Sequence, residues 1–497
     1  MQKPKCKVQN AKCKMKSVSK LRRVLGGQEG IVLPVVVAVI AVITTVGFTA
    51  ASVVGDQAMM GSRYTGGEEA LAYAEAGLYK YLWHLNKDSK YYEKDEADKG
   101  PDEALLGVET PFQDGYYYLE VDPPTADEPV VTIRSTGWPA SDPTNRRTIE
   151  VQVHKRQFCQ HVYLSNEEKV WWNGEFHKVW WYTDDEVHGP LHTNHTLHIY
   201  GRPIFHGPVT YTIGIELWPG SNPDYRAGPP QQTPPLTFPP SNSQLMTQAQ
   251  YQGYYYQGRT CIFIDGDQLR IRNQAGDIEV RPLPSNGVIY VNGTVDYDED
   301  RGEKWQLDKG NVFIAGELDG RLTVAAANNI YVCAKDPTDY DYWTAEWAGG
   351  VRYANEDFDP DGGMTDDMLG LVANGYVRIL HYYWPDDSYD HHSPYFSRPP
   401  YDVAPYNITI HGAVFALDWS WEYEYFWDRP VKGTIYLVGS IIQQYRGGVG
   451  TFYSGSGAQR SGYLKDYRHD PRMLYDTPPH FLEPVNAGWQ IVSWDRI

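Results

Sequence analysis

The sequence predicts a mainly β protein carried on a long N-terminal α-helix. Three observations lead there. An uncharged run of 24 residues, Ile31 to Val54, passes into an amphipathic stretch. Three alternating, strand-like segments follow it. From about residue 158 onward, short strands recur at close intervals, each ended by Gly or Asn.

Composition sets the outer bounds. The 497 residues exceed one ordinary compact domain but suit an elongated one. The net charge of −19 is uneven. Residues 1–30 hold nine Lys/Arg against Glu29 alone, a surplus of eight, so the remainder carries −27. So acidic a body is repelled by nucleic acid, whose partners need a basic footprint, and it attracts cations. Tyr (39) and Trp (16) are too many for every hydroxyl and indole N–H to find a buried partner, so aromatic rings must reach the surface. There they either bind partners or sugars or form aromatic ladders along a sheet. Two of the five Cys, Cys6 and Cys13, lie in the basic leader; Cys159, Cys261 and Cys333 show no CxxC spacing and suggest neither a disulfide scaffold nor a zinc site.

The elements follow in order. Residues 1–30 form a basic leader, and the apolar run is long enough, at about 36 Å as a helix, to cross a bilayer. The positive-inside rule keeps the leader cytoplasmic and places the acidic body on the far side. After the run, Leu71, Ala74, Leu78, Tyr81, Leu82 and Leu85 recur at spacings of three and four, one apolar stripe of a helix reaching about Asn86. A signal peptide or a plain anchor also has an apolar run, but neither requires a continuous stem over residues 31–90.

The segments GGQEGIVLPVVVAVIAVITTVGFTAA and GGEEALAYAEAGLYKYLWHL resemble the stem of PilX-type minor pilins. The resemblance covers roughly the first 90 residues. It implies that prepilin peptidase cuts between Gly30 and Ile31, and that the mature helix packs among other pilin-like subunits in a type IV pilus-like fibre. It also implies that Ala74-Glu75-Ala76-Gly77-Leu78 answers to a region the family tends to show. Major pilins carry Glu at the fifth mature position. Here Val35 stands there after Pro34. A Glu in the membrane would pair with a neighbour's N-terminal amine; its loss weakens docking beneath another subunit and points to a minor or tip position.

Residues 91–157 predict a small pilin-like antiparallel sheet from Tyr116–Val121, Val130–Ser135 and Arg147–His154, separated by turn-rich residues. Residues 158–497 predict a β-solenoid, specifically a right-handed β-helix, from strands at 197–201, 288–293, 311–316, 321–326, 329–334, 369–375, 408–416 and 434–440. Gly or Asn would sit at its left-handed corners. The alternative is a β-sandwich. The Pro-rich stretch 218–253 reads as a long loop or strap. The pieces EVHGPLHTNHTLHIYGRPIFHGPV, DDMLGLVANGYV, IYLVGSIIQQYRGGVGT and GYLKDYRHDPRMLYDTPPHF are similar to an uncharacterised domain that follows PilX-type stems. That similarity implies architecture and surface location, with no activity attached.

Chemistry-bearing residues are few. Asp357, Asp359 and Asp361, followed by Gly362, place hard oxygen ligands at alternate positions before a glycine turn, as calcium loops do. Met368 stands where an EF-hand needs its bidentate Glu, so Asp366 and Asp367 would have to substitute; the competing reading is a solvated acidic turn. His188, His192 and His198 would share a face of an extended strand, with His195 and His206 nearby, but Gly189-Pro190 interrupts it. Acid pairs such as Asp296/Asp298 and Asp386/Asp387 have the form of glycosidase acids, yet among 63 acids chance pairing is the default. No nucleophile elbow, phosphate loop or HExxH motif is present.

The sequence therefore predicts a pilin-like, membrane-anchored structural or adhesive protein, its body outside the cytoplasmic membrane and on the cell surface or pilus when assembled, and not an enzyme. Its expected partners are the membrane, other pilin-like subunits, prepilin peptidase and surface glycans. The alternatives are a surface β-helix enzyme, a polysaccharide lyase or glycosidase, and a plain membrane-tethered binding module.

Overall fold

The computed structural model describes residues 32–88, 90–100, 102–124, 130–183, 185–297, 303–339, 349–355, 366–383, 401–453 and 458–497. The protein is mainly β, with a long N-terminal helix and one large sheet.

Helix α1 spans Val32–Lys87, 56 residues, or about 84 Å at the usual rise. Pro34 falls in its first turn, where a missing N–H has no intrahelical partner to lose. The last turn carries Lys87, a cation suited to the negative end of the helix dipole. Over Ala70–Leu85 the apolar stripe is buried, against a five-stranded antiparallel sheet. Its strands are β1 (Thr110–Phe112), β2 (Gly115–Asp122), β3 (Val131–Pro139) and β4 (Arg147–Lys155), and the chain's final strand, Trp489–Arg496, pairs beside β4. The three strands read from sequence form β2, β3 and β4; the fifth, with its exposed Ile491 and Val492, was not among them.

The helix can lie this close to the sheet because two residues lack side chains. A Cβ on Gly137 would lie 2.2 Å from the backbone N of Ala74, and one on Gly77 would lie 2.7 Å from the Tyr117 ring. Between them, Ser135 Oγ donates to the Ala74 carbonyl at 2.6 Å.

The large sheet has 23 strands, joined mostly in parallel. One ladder runs through ten strands in register. In spatial order they are Tyr254–Gln257, Val288–Asn292, Arg321–Ala326, Met368–Ala373, Ile408–Ala416, Val431–Tyr445, Tyr163–Glu167, Leu191–Thr193, Val209–Tyr211 and Gln231–Gln232. At the usual strand spacing the ladder is about 43 Å long. A second ladder joins Thr260–Gly266, Val312–Leu318, Val351–Tyr353, Ile408–Ala416, Val431–Tyr445, Gln459–His469, Glu186–His188, Ile204–Phe205 and Asp224–Tyr225. A third joins Ile330–Val332, Val377–Ile379 and Trp421–Tyr423. Strands buried this fully read as continuous Val/Ile/Leu/Ala runs, which is why RLTVAA and LGLVA stood out in the sequence. All eight strands read there coincide with strands of the fold.

Spatial order departs from chain order. The segment 163–232 forms one end of the stack, and the strands from 254 onward begin at the other end and grow back to meet it, Ile441 pairing with Tyr163. The Pro-rich stretch makes the return journey. Its contacts advance along the stack: the Leu236 N–H donates to Asn194, Phe238 packs on Phe415, and Asn242 donates to the carbonyls of Ala326 and Val372. The loop reading missed helix α2, Ser243–Gln252, in this stretch. Leu245 and Ala249, one turn apart, are buried against the ladder and supply the tertiary contact that a ten-residue helix needs.

Positive-φ glycines occur in turns and also within strands. Gly412 and Gly439 are directly paired, and a Cβ on Gly439 would overlap the Gly412 carbonyl. Asn does not share this role: among the described residues the only positive-φ Asn is Asn173 in a hairpin. The buried Asn311, Asn328 and Asn329 instead satisfy backbone amides between strands through their side chains, as Asn329 Oδ1 does for the Tyr376 N–H at 2.8 Å.

Candidate functional site

The helix α1 divides into two functional lengths. From Ala70 to Leu85 its apolar face is used up by the small sheet. From Val36 to Val54 it is apolar, long enough to cross a bilayer, and none of it is buried within the chain. Val42, Ile43, Val46, Phe48 and Val54 are all more than 60% exposed. An apolar segment of that size favours lipid or another apolar surface over water, at about 25 cal/mol per Å² buried. Within it, Thr44, Thr45 and Thr49 turn their hydroxyls back to carbonyls three and four residues earlier, which satisfies them without water.

Near its C-terminal end the stem is tied to the small sheet and, through Asp476, to the stack. Trp489 Nε1 donates to the Leu85 carbonyl at 2.9 Å. Asp476 accepts from Lys90 at 2.8 Å and from both Nη atoms of Arg321 at 2.8 and 3.0 Å. Burial alone would raise the Asp476 carboxyl, but Arg321 and Lys90 outweigh it and hold it below the usual carboxylate range. Lys155 pairs with Glu483 at 2.5 Å.

Several residues singled out in the sequence lie outside the described residues: Gly30 and Ile31 at the expected cleavage point, and Asp357, Asp359 and Asp361 of the calcium reading. Of the two proposed substitutes, Asp366 is exposed, whereas Asp367 is buried and its Oδ1 accepts the Gly320 N–H at 2.6 Å. Asp296 is paired with Lys309 at 3.0 Å; Asp298, Asp386 and Asp387 lie outside the described residues.

The histidines do not share one face. The turn at Gly189-Pro190 and a second at Asn194-His195 put His188, His192 and His198 on three different strands. His192 is buried, its Nε2 on Asn194 Oδ1 and its Nδ1 on Thr210 Oγ1, and burial pushes its pKa down to about 4. His198 lies 2.9 Å from Glu216. His188 instead meets His206, which sequence spacing had not linked to it, together with Glu186. Only the pairing of strand 186–188 with strand 204–205 brings them together.

Buried ion pairs occupy the stack interior. Lys304 pairs with Glu424, and Arg446 with Glu168 at 2.9 Å while its guanidinium lies 3.8 Å from the Trp181 ring centroid. Both pairs are enclosed, so neither presents its charges to a groove. Cys159 is buried and free, and burial pushes its thiol well above its ordinary value.

Among the described residues, two groups of surface aromatics pack ring on ring. A hairpin, Lys169–Trp172 with Glu175–Lys178, turns on Asn173-Gly174, both at positive φ as a two-residue turn requires. It presents Trp171, Trp172 and Phe176 to solvent. Phe176 packs on Tyr445 at 4.6 Å, Tyr445 on Trp419 at 5.7 Å, and Trp419 stacks on Tyr376 at 5.2 Å. A second group holds Trp180, Tyr182, Tyr200 and Trp218. Rings packed against one another along the sheet, the ladder reading of the sequence, are present in both groups.

Residues 136–212 match a domain of unknown function, DUF4900. That span starts in β3 and ends just after the strand Val209–Tyr211. No curated protein matches the chain. Among solved structures it is similar to the crystal structure of the competence-associated pilin ComZ from Thermus thermophilus, at 11% identity and a TM-score of 0.29, over 87% of this chain and 98% of that one.

Proposed function

We propose that this chain is a pilin-like, membrane-anchored extracytoplasmic protein with a structural or adhesive role, a minor or tip component of a type IV pilus-like fibre. One observation carries the reading: a single continuous helix whose upper length is apolar and bare while its lower length is docked on a sheet. The bare length suits lipid before assembly and neighbouring pilin-like helices after it. In this reading residues 1–30 are a prepilin leader of PilX-like type, prepilin peptidase cuts between Gly30 and Ile31, and residues 91–157 form a pilin-like sheet unit. The parallel ladders are read as a β-helix on the far side of that unit from the bare helix, its exposed rings meeting surface glycans. Asp357, Asp359 and Asp361 hold calcium in the same reading.

No catalysis is assigned. Acid–base chemistry needs an acid and a base held in fixed geometry facing a substrate. The Lys304–Glu424 and Arg446–Glu168 pairs are enclosed instead.

The experiment is N-terminal sequencing of the chain recovered from the membrane fraction of cells that contain prepilin peptidase. A mature start at Ile31 is expected. An intact Met1, or a start near Val53, would overturn the pilin reading in favour of a tether or a secreted protein.

A further inference from the structure

Glu186, His188 and His206 lie outside everything used above. Residue Val187 points inward and is buried, so its neighbours Glu186 and His188 point outward. In the parallel register Glu186 faces Ile204 and Val187 faces Phe205, which places His206 across from His188 on the next rung. The pairing is fixed by the backbone, the His206 N–H donating to the Val187 carbonyl at 2.9 Å. The two imidazoles stack with centroids 4.1 Å apart. Both reach one carboxylate oxygen, Glu186 Oε2: His206 Nε2 at 3.0 Å and His188 Nε2 at 3.3 Å. All three groups can offer ligand atoms within 4.8 Å of one another.

We propose that Glu186, His188 and His206 bind a divalent first-row transition cation, with zinc foremost. Two imidazole nitrogens and a carboxylate oxygen form a borderline donor set that suits Zn²⁺ and its neighbours, whereas Ca²⁺ and Mg²⁺ take all-oxygen shells. Tetrahedral zinc with bonds of about 2.0–2.1 Å sets its ligand atoms about 3.3–3.4 Å apart. The two His–Glu distances, 3.0 and 3.3 Å, already lie near that value, and the third pair must close from within 4.8 Å. Three ligands leave one position open to solvent.

The surroundings are consistent with a cation. Asp466 on the preceding rung and Asp224 on the following one add negative charge, and the Arg beside each is already engaged, Arg468 by Asp466 at 3.0 Å and Arg226 by Asp224 at 3.8 Å. One contact opposes the ion. Arg226 Nη1 lies 3.1 Å from His206 Nδ1. Metal on Nε2 puts the ring proton on Nδ1, so Arg226, half-exposed, must swing away. A group able to accept that proton would do better, as hydrogen-bond partners of ligating histidines generally do.

The test is calorimetric titration of the metal-stripped full-length chain in detergent micelles with Zn²⁺ alone, with Co²⁺ absorption as a report of tetrahedral geometry. One zinc per chain is expected. Glu186→Gln, His188→Gln and His206→Gln should each weaken it by about 100-fold with unchanged circular dichroism, Arg226→Gln should tighten it by up to about tenfold, and excess Ca²⁺ should not compete. No zinc binding, or stoichiometric binding retained in the His188→Gln/His206→Gln double variant, would overturn the proposal.

Discussion

At the residue scale, the closest approach between helix and sheet hangs on Gly137 and Gly77. Gly77 is the glycine of the AEAGL segment, and its role here is to admit the Tyr117 ring. Gly137→Ala should force the helix off β3 and lower stability by about 1–3 kcal/mol, seen as a drop in the unfolding midpoint and faster proteolysis of the stem. Burial also decides how the buried histidines respond to pH. His411 is pushed down to about 4 by burial, and its Nδ1 accepts the Tyr353 N–H at 3.1 Å, which needs the neutral ring. His192 is held down in the same way. A folded-state value below the unfolded one means that the unfolded chain binds more protons. Stability is therefore full above about pH 7, falls as pH drops through about 6.5, and levels off near 4. His411→Asn, whose Oδ1 can still accept that amide, should remove about 1–3 kcal/mol of the difference in stability between pH 7 and pH 5, measured by denaturant titration at the two pH values.

At the scale of elements, the Pro-rich strap is the least obvious part of the fold and the most testable. Its proline residues keep it extended, and its polar residues serve the ladder it crosses. Asn242 is fully buried, donates to two carbonyls of adjacent rungs and accepts from the Tyr290 hydroxyl at 3.1 Å. Asn242→Leu leaves those groups unpaired and should cost about 1–3 kcal/mol, with new protease cleavage within 233–242 as the local sign. Strands were legible because buried parallel strands are apolar along their whole length. Helix α2 was not, because SQLMTQAQYQ has only two residues that the fold buries, and composition alone made the stretch look irregular. The last strand was missed for a related reason: its pairing with β4, not its own pattern, makes it a strand.

At the scale of the molecule, chain order and stacking order differ. Strand Val431–Tyr445 is held between Ile408–Ala416 and Tyr163–Glu167, so the first and last parts of the stack are one ladder. The terminal strand repeats this on the small sheet, locking residues 489–496 beside β4. A single protease nick in the strap, between 233 and 242, should therefore leave both fragments together on size-exclusion chromatography without denaturant. Fragments that separate would mean that the strap, rather than the shared ladder, joins the two parts.

The sequence by itself determined the local features. Charge asymmetry, an apolar run of bilayer length and a 3.6-residue stripe follow from residue types at fixed spacings, and so do short strands ended by glycine. Each depends on neighbours within a few positions. Tertiary structure decided what depends on distant pairing: the order of the stacked strands, the path of the strap, the fifth strand of the small sheet, and which histidines meet. The spacing 188, 192, 198 suggested one face, yet two turns dispersed it, and a register between strands 18 residues apart set His206 beside His188 instead. In a parallel stack every outward side chain gains its neighbours from the rungs above and below, and no periodicity within one strand can encode them.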